Sequence, residues 1–328
     1  MKRSAVARLS AVILGAVALG AASAPAGALA AGTRPVSATP VSLKLRGLFT
    51  VHGASVTVPK RAVVVSGTVA HWVPHQHVEL VASVGGRMFL RRGLSIARRA
   101  GRGHFQTTVY APRTGHIRVA LAHLRNSRLL SFAESGSYTV LDNQVGPGAR
   151  GPMVALVQQR LAALHLFIPQ TGVYDNGTEL ALDAYHRLLG KGEGITSLDP
   201  VTMTDLLNGV GKFHVRFPRQ GPHAEGDLSD QVLAFTDGGK VHWLFPISSG
   251  KPSTPTILGN YQIYLRTPGY LPDGMYYSDF FTGGYAIHGY DPAPDYPASH
   301  GCMRLPIVDA IPAYDWLQMG DWVDTYYT

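Results

Sequence analysis

Apolar and polar residues alternate in short runs beyond residue 35: Val56-Thr57-Val58, Ala62–Val69, His77–Val84, Gly103–Val109 and His116–Leu121. Alternation of this kind lays one face of a strand on a core, and the Gly, Pro and basic residues between the runs mark turns. The spacing predicts a β-sandwich over residues 35–142. The period then changes. Val154, Leu156, Val157, Leu161 and Leu164 recur at helical spacing and predict a helix over Met153–Leu164. A turn at Thr171–Asp175 leads to a second helix, Thr178–Leu189, and Asp199 is placed to cap a third, Pro200–Leu207. These make a small helical module over 146–209. From Lys212 alternation returns: Gln231–Asp237 and Lys240–Ile247 flank Gly238-Gly239, the signature of a hairpin. A third module, β-rich, occupies 212–328, so the chain is mainly β and multidomain.

The first thirty residues follow none of these patterns. Lys2, Arg3 and Arg8 precede an apolar stretch, Leu9–Leu19, and Ala-x-Ala options stand at Ala22–Ala24 and Ala28–Ala30. The stretch is shorter than the roughly 20 residues that span a bilayer, so residues 1–30 read as a cleaved export signal and the protein as secreted to the cell envelope.

Composition sharpens this picture. With 45% apolar and 15% charged residues, the chain can bury large cores. Its net charge of +8 is uneven: residues 31–145 carry 15 basic and 3 acidic side chains (+12), residues 146–210 carry 4 and 6 (−2), and residues 211–328 carry 7 and 12 (−5). A uniform nucleic-acid binder is not indicated. The basic region suits a solvated β surface or attraction to anionic cell-wall polymers. His71, His75 and His77 read as strand-end residues rather than a metal site. The single cysteine, Cys302, excludes an intrachain disulfide. The first module is therefore immunoglobulin-like in architecture only, without the cysteine pair of antibody domains.

In an exported chain a lone thiol is either buried and inert or kept for its chemistry. Its neighbours favour chemistry. Ala286-Ile287-His288-Gly289 is followed by Ser299-His300-Gly301-Cys302-Met303-Arg304-Leu305. An imidazole can activate a thiol, and Gly301 leaves room for a substrate's backbone while amides near Cys302 could face an oxyanion. Eight of the chain's 15 tyrosines fall between Tyr261 and Tyr296, which suits a groove for an amphipathic peptide.

Two family resemblances follow from these residues. LVQQRLAALHLF, TGVYDNGTELALDAYHRLLG and LDPVTMTDLL resemble the three-helix peptidoglycan-binding domain, with Tyr185-His186 where that family usually has Phe-Gln. The His288-Gly289 pair with the SHGCMRL block resembles the L,D-transpeptidase catalytic domain of the YkuD type. That resemblance implies Cys302 as nucleophile, His288 as its proton acceptor and donor, and the Gly289 carbonyl as orienter of His288. It also implies that Tyr285, Ser299, His300, Gly301, Met303 and Arg304 shape the site. Arg304 stands where many members have Asn, and the gap from His288 to Ser299 is a few residues short, implying a trimmed lid. The implied reaction joins peptidoglycan stem peptides, as donor and acceptor, through 3→3 cross-links, with neither metal nor organic cofactor. An L,D-carboxypeptidase, a cross-link hydrolase and a non-catalytic wall-binding protein are the alternatives. A sortase is not indicated, because Cys302 follows Ser-His-Gly rather than Thr-x-x. On this reading the upstream modules hold the enzyme on its polymer without touching the chemistry.

Overall fold

The computed structural model describes residues 41–123, 131–192 and 194–328, so the export segment lies outside the described residues. No helix among them is long and apolar enough to cross a membrane.

The first module contains ten strands: β1 (Val41–Arg46), β2 (Phe49–Val51), β3 (Ala54–Thr57), β4 (Ala62–Val69), β5 (His77–Val84), β6 (Arg87–Ser95), β7 (Ala97–Arg99), β8 (Arg102–Tyr110), β9 (Gly115–His123) and β10 (Phe132–Val140). They form two sheets, β1-β4-β8-β7 and β2-β3-β10-β9-β5-β6. Alternation fills the space between them: Val63, Val65 and Val69 of β4 meet Leu80 of β5 and Val119 and Leu121 of β9 in one core. Strand β10 escapes the hydrophobic pattern because its stretch Ala133–Ser135 is exposed, while Tyr138 and Val140 at its C-terminal end are buried in the core and Phe132 at its start packs on the core's edge.

Three helices follow, α1 (Pro152–Ala162), α2 (Asn176–Leu188) and α3 (Pro200–Asn208). The Asp175 carboxylate accepts the Thr178 N–H at 3.1 Å to start α2. Asp199 accepts those of Val201 and Thr202 at 2.7 and 3.0 Å to start α3. Gly209, at φ 74°, ends α3 in the left-handed conformation. Tyr185 and His186 are both buried, and the His186 Nε2–H donates to the Ser197 carbonyl at 2.9 Å.

The last module holds β11 (His223–Asp227), β12 (Val232–Asp237), β13 (Lys240–Pro246), β14 (Gly259–Gln262), β15 (Leu265–Tyr270), β16 (Tyr276–Thr282), β17 (Tyr285–Gly289), β18 (Met303–Leu305) and β19 (Trp322–Tyr326), with α4 at Ile307–Trp316. Two sheets, β13-β12-β11-β19-β14 and β15-β16-β17-β18, enclose Phe235, Phe245, Ile287, Met303, Leu305 and Val323. Gly238 and Gly239, at φ 54° and 78°, turn the β12–β13 hairpin with two positive φ angles.

The helical module is not a separable bead. Leu156, Leu161, Leu182 and Leu206 share one apolar cluster with Val51 and Val56 of the first module and with Val232, Ala234 and Leu244 of the last. The chain after α1 also pairs with β13: the Phe167 N–H donates to the Leu244 carbonyl at 2.9 Å, and the Leu244 N–H to that of His165 at 2.8 Å. An apolar face of β12 and β13 needs α2 to cover it.

Candidate active site

Strands β17 and β18 run parallel, with Ile287 opposite Met303, His288 opposite Arg304 and Gly289 opposite Leu305. Ile287, Met303 and Leu305 turn into the core. Alternation therefore puts His288 and Arg304 on the other face, and Cys302, one residue before β18, continues that face. Cys302 and His288 thus share one surface although they lie 14 positions apart in sequence.

His288 is almost wholly buried, and its Nδ1–H donates to the Gly289 carbonyl at 2.9 Å. A carbonyl only accepts, so the proton sits on Nδ1 and Nε2 carries the free lone pair. Burial pushes the imidazole down to about 4; the Gly289 carbonyl opposes this and the Arg304 charge adds to it. Gly289 has no side chain because α4 leaves no space: a Cβ there would lie 2.6 Å from that of Ala310. Burial also raises the Cys302 thiol, while the Ala286 backbone and the Arg304 charge pull it back. Its Sγ lies 3.5 Å from the Gly284 carbonyl. At neutral pH burial therefore keeps Cys302 a thiol and His288 a neutral imidazole, not a preformed ion pair.

The turn before Cys302 is held from within. Ser299 Oγ donates to the Cys302 carbonyl at 2.6 Å and accepts the Gly301 N–H at 2.9 Å. That amide is committed, which removes it from any oxyanion contact. Gly301, at φ 123°, runs so close to Tyr285 that a Cβ would stand 2.4 Å from the ring. Tyr285 is the wall that requires this glycine. Met303 is fully buried, and its Sδ fills the space where Gly226 lacks a side chain, so it supports the site from the core. His300 is exposed, with Nε2 3.2 Å from Lys251 Nζ. The Arg304 guanidinium lies 4.0 Å from the centre of the Tyr290 ring, which meets the His288 ring edge-on at 5.8 Å.

Four contributors were not singled out in the sequence. Tyr290 and Lys251 are two. Asp273, at the tip of the β15–β16 hairpin, raises both the His288 and the Cys302 pKa through its charge. Neighbouring Gly274 abuts Tyr290, so the tip forms a wall of the site. The fourth is Arg187 of α2, buried beside Asp183, which donates to the carbonyls of Gln231 and Ile247 at 2.9 and 3.1 Å. The Gln231 side chain accepts the Ser249 N–H at 2.9 Å and donates to Ser249 Oγ at 2.7 Å. The Ser249 carbonyl in turn accepts the N–H groups of Ala298 and Ser299, each at 2.9 Å. A continuous ladder of hydrogen bonds thus joins α2 to the turn that carries Cys302. No sequence motif spans the 115 residues from Arg187 to Cys302.

The family model of the L,D-transpeptidase catalytic domain, YkuD, matches residues 222–324. Residues 222–324 are thus similar to a YkuD-type L,D-transpeptidase catalytic domain. Among solved structures, an L,D-transpeptidase from Xylanimonas cellulosilytica is similar at 29% identity and a TM-score of 0.50, over 56% of this chain and 97% of that one. The catalytic domain of an L,D-transpeptidase from E. faecium is similar at 26% identity and a TM-score of 0.29, over 32% and 96%. An L,D-transpeptidase from Mycobacterium smegmatis is similar at 13% identity and a TM-score of 0.30, over 88% and 100%. Comparison with curated proteins gives no match. The matched segment contains the full β17–β18 pair and with it both Cys302 and His288.

Proposed function

We propose that the chain is an exported peptidoglycan L,D-transpeptidase forming 3→3 cross-links through a Cys302 thioester. The observation that carries this reading is the shared face of His288 and Cys302, with Nδ1 of the imidazole tied to Gly289 and Nε2 left as the proton acceptor. As Cys302 Sγ attacks the carbonyl before the terminal D-Ala of a tetrapeptide stem, its proton passes to His288 Nε2. His288 returns that proton to the departing D-Ala amine, and the thioester remains. The side-chain amine of a second stem then attacks the thioester carbonyl. It loses a proton by way of His288, and the thiol is restored. With the Gly301 amide committed to Ser299, the developing oxyanion falls to the amide of Cys302 itself. Arg304, held on Tyr290, is positioned for a substrate carboxylate.

Export by residues 1–30, an immunoglobulin-like first module and a peptidoglycan-binding role for the helices belong to the same proposal. Mass spectrometry of the protein with a tetrapeptide-bearing disaccharide tests it, because acyl-enzyme, cross-linked dimer and hydrolysed tripeptide differ in mass. Dimer formation supports transfer to an amine. Tripeptide alone would make the protein an L,D-carboxypeptidase, and no acyl-enzyme at all would leave a wall-binding protein.

A further inference from the structure

The outer face of sheet β1-β4-β8-β7 is built unlike the rest of the first module. Since Val63, Val65 and Val69 enter the core, Val64, Ser66 and Thr68 of β4 face outward. Register extends this row across the sheet. Ser66 lies between Lys44 and Gln106, Thr68 between Ser42 and His104, and Val64 between Arg46 and Thr108. On β7, Arg99 stands opposite Arg102. The result is a trough of about 710 Å³ whose lining includes Lys44 and Arg46 at one side and Arg99 and Arg102 at the other. Its floor is hydroxyl and amide: Ser42, Ser66, Thr68 and Gln106. No carboxylate lines it, and these four cations make no ion pair among the described residues.

We propose that this trough binds an extended phosphodiester polymer with a polyol backbone. Charge gives the sign of the partner, since the module is strongly basic and its trough has no internal counter-charge. The choice of side chains gives the group. Guanidinium and ammonium walls over a floor of hydroxyls and an amide form the donor set that holds phosphate oxygens by charge-assisted hydrogen bonds. Lys44 and Arg46, two residues apart on an edge strand, set cations about 7 Å apart along the trough, as a repeating anion requires. The lining disfavours bases: its only rings are the buried Phe105 and the half-buried His104, so a nucleic acid would find no broad stacking platform. The site is remote in sequence from Cys302 and does not depend on the chemistry proposed for it.

The test uses the full chain and a fluorescent oligo(glycerol phosphate), with polygalacturonate and oligo(dT) of equal charge as competitors. The oligomer should bind, and a fourfold rise in salt from about 50 mM should weaken it roughly 50-fold if four cations act at the single-strand slope. Replacing Lys44, Arg46, Arg99 and Arg102 together by Gln should weaken binding at least about tenfold and remove most of that salt slope. A control removes equal charge from exposed positions elsewhere in the module, Arg87, Arg92, Arg113 and Arg118, and should change binding less than about threefold. No binding of the oligomer at low salt overturns the proposal. So does an equal loss in the control, which would make the attraction diffuse. Tighter binding of polygalacturonate or oligo(dT) overturns the choice of phosphodiester polyol.

Discussion

His288 and Cys302 lie on one face and are both uncharged at neutral pH, which sets how the proposed chemistry depends on pH. Because burial depresses the imidazole to about 4, its Nε2 is available as a base through the whole range above that value. The rate of thiol acylation by a small β-lactam should therefore rise through about pH 4 and stay level from about 5 to 7. A limb centred at the ordinary histidine value, near 6.5, would show that the imidazole is not held as the structure places it. His288→Ala should slow acylation by roughly 100- to 10,000-fold. His300→Ala should slow it less, because His300 is exposed and meets Lys251 rather than the Cys302 face. Cys302→Ala should fold normally and form no acyl-enzyme, and Cys302→Ser should be nearly as inactive. Single-turnover mass spectrometry reads all four variants. Both residues of the proposed pair were legible in the sequence because each lies in a compact block with an adjacent glycine. Asp273 and Tyr290 were not, because a hairpin tip and a crossing segment reach the site only in three dimensions.

Helix α4 brings a buried acid up to the site. Asp309 stands in its first turn, two residues past Ile307, whose side chain comes close to Gly289. Burial raises its carboxyl to about 7, against an ordinary value of 3.8. The sign follows from linkage: a carboxyl raised in the fold binds more protons there than in the unfolded chain. Stability is thus lost as pH climbs from about 4 to 7. Asp309→Asn, which keeps the shape and removes the charge, should be close to neutral at pH 4 and stabilise at pH 8, by at most about 4 kcal/mol. Thermal melts at the two pH values decide it, and an equal effect at both would show that ionisation is not what Asp309 costs. Helix α2 makes the opposite case, a charge the fold needs. Arg187→Ala removes the charged partner of buried Asp183 and one donor each from the Gln231 and Ile247 carbonyls, at a cost of about 3–5 kcal/mol. It also frees Gln231, and through it the Ser249–Ser299 rung. Acylation of Cys302 should therefore fall in molecules that remain folded, with Arg187→Lys intermediate in both stability and rate. Unchanged acylation in folded Arg187→Ala protein would cut the ladder out of the account. The helices themselves were readable because Asp175 and Asp199 cap them locally, whereas the ladder joins elements far apart in sequence and leaves no pattern.

The three modules share apolar surface, so the molecule divides unequally. Removing residues 1–145 strips Val51, Val56 and Val58 from one side of the helical core but leaves α1 to α3 on the last module. Removing residues 1–209 instead exposes the face of β12 and β13 that carries Val232, Ala234 and Leu244, and deletes Arg187 with it. Val232 and Leu244 alone represent about 3–6 kcal/mol of burial, a large part of the roughly 5–15 kcal/mol that stabilises a domain. The chain starting at residue 146 should therefore stay monomeric, melt cooperatively and acylate Cys302 at close to the full-length rate. The chain starting at 210 should self-associate through the bared face, melt lower and acylate more slowly. Gel filtration, thermal melts and β-lactam acylation on the three proteins give the comparison. If the 210–328 chain is monomeric and matches the full chain in melting temperature and rate, then the helices are a detachable anchor after all, and the continuity of the apolar cluster has no energetic weight.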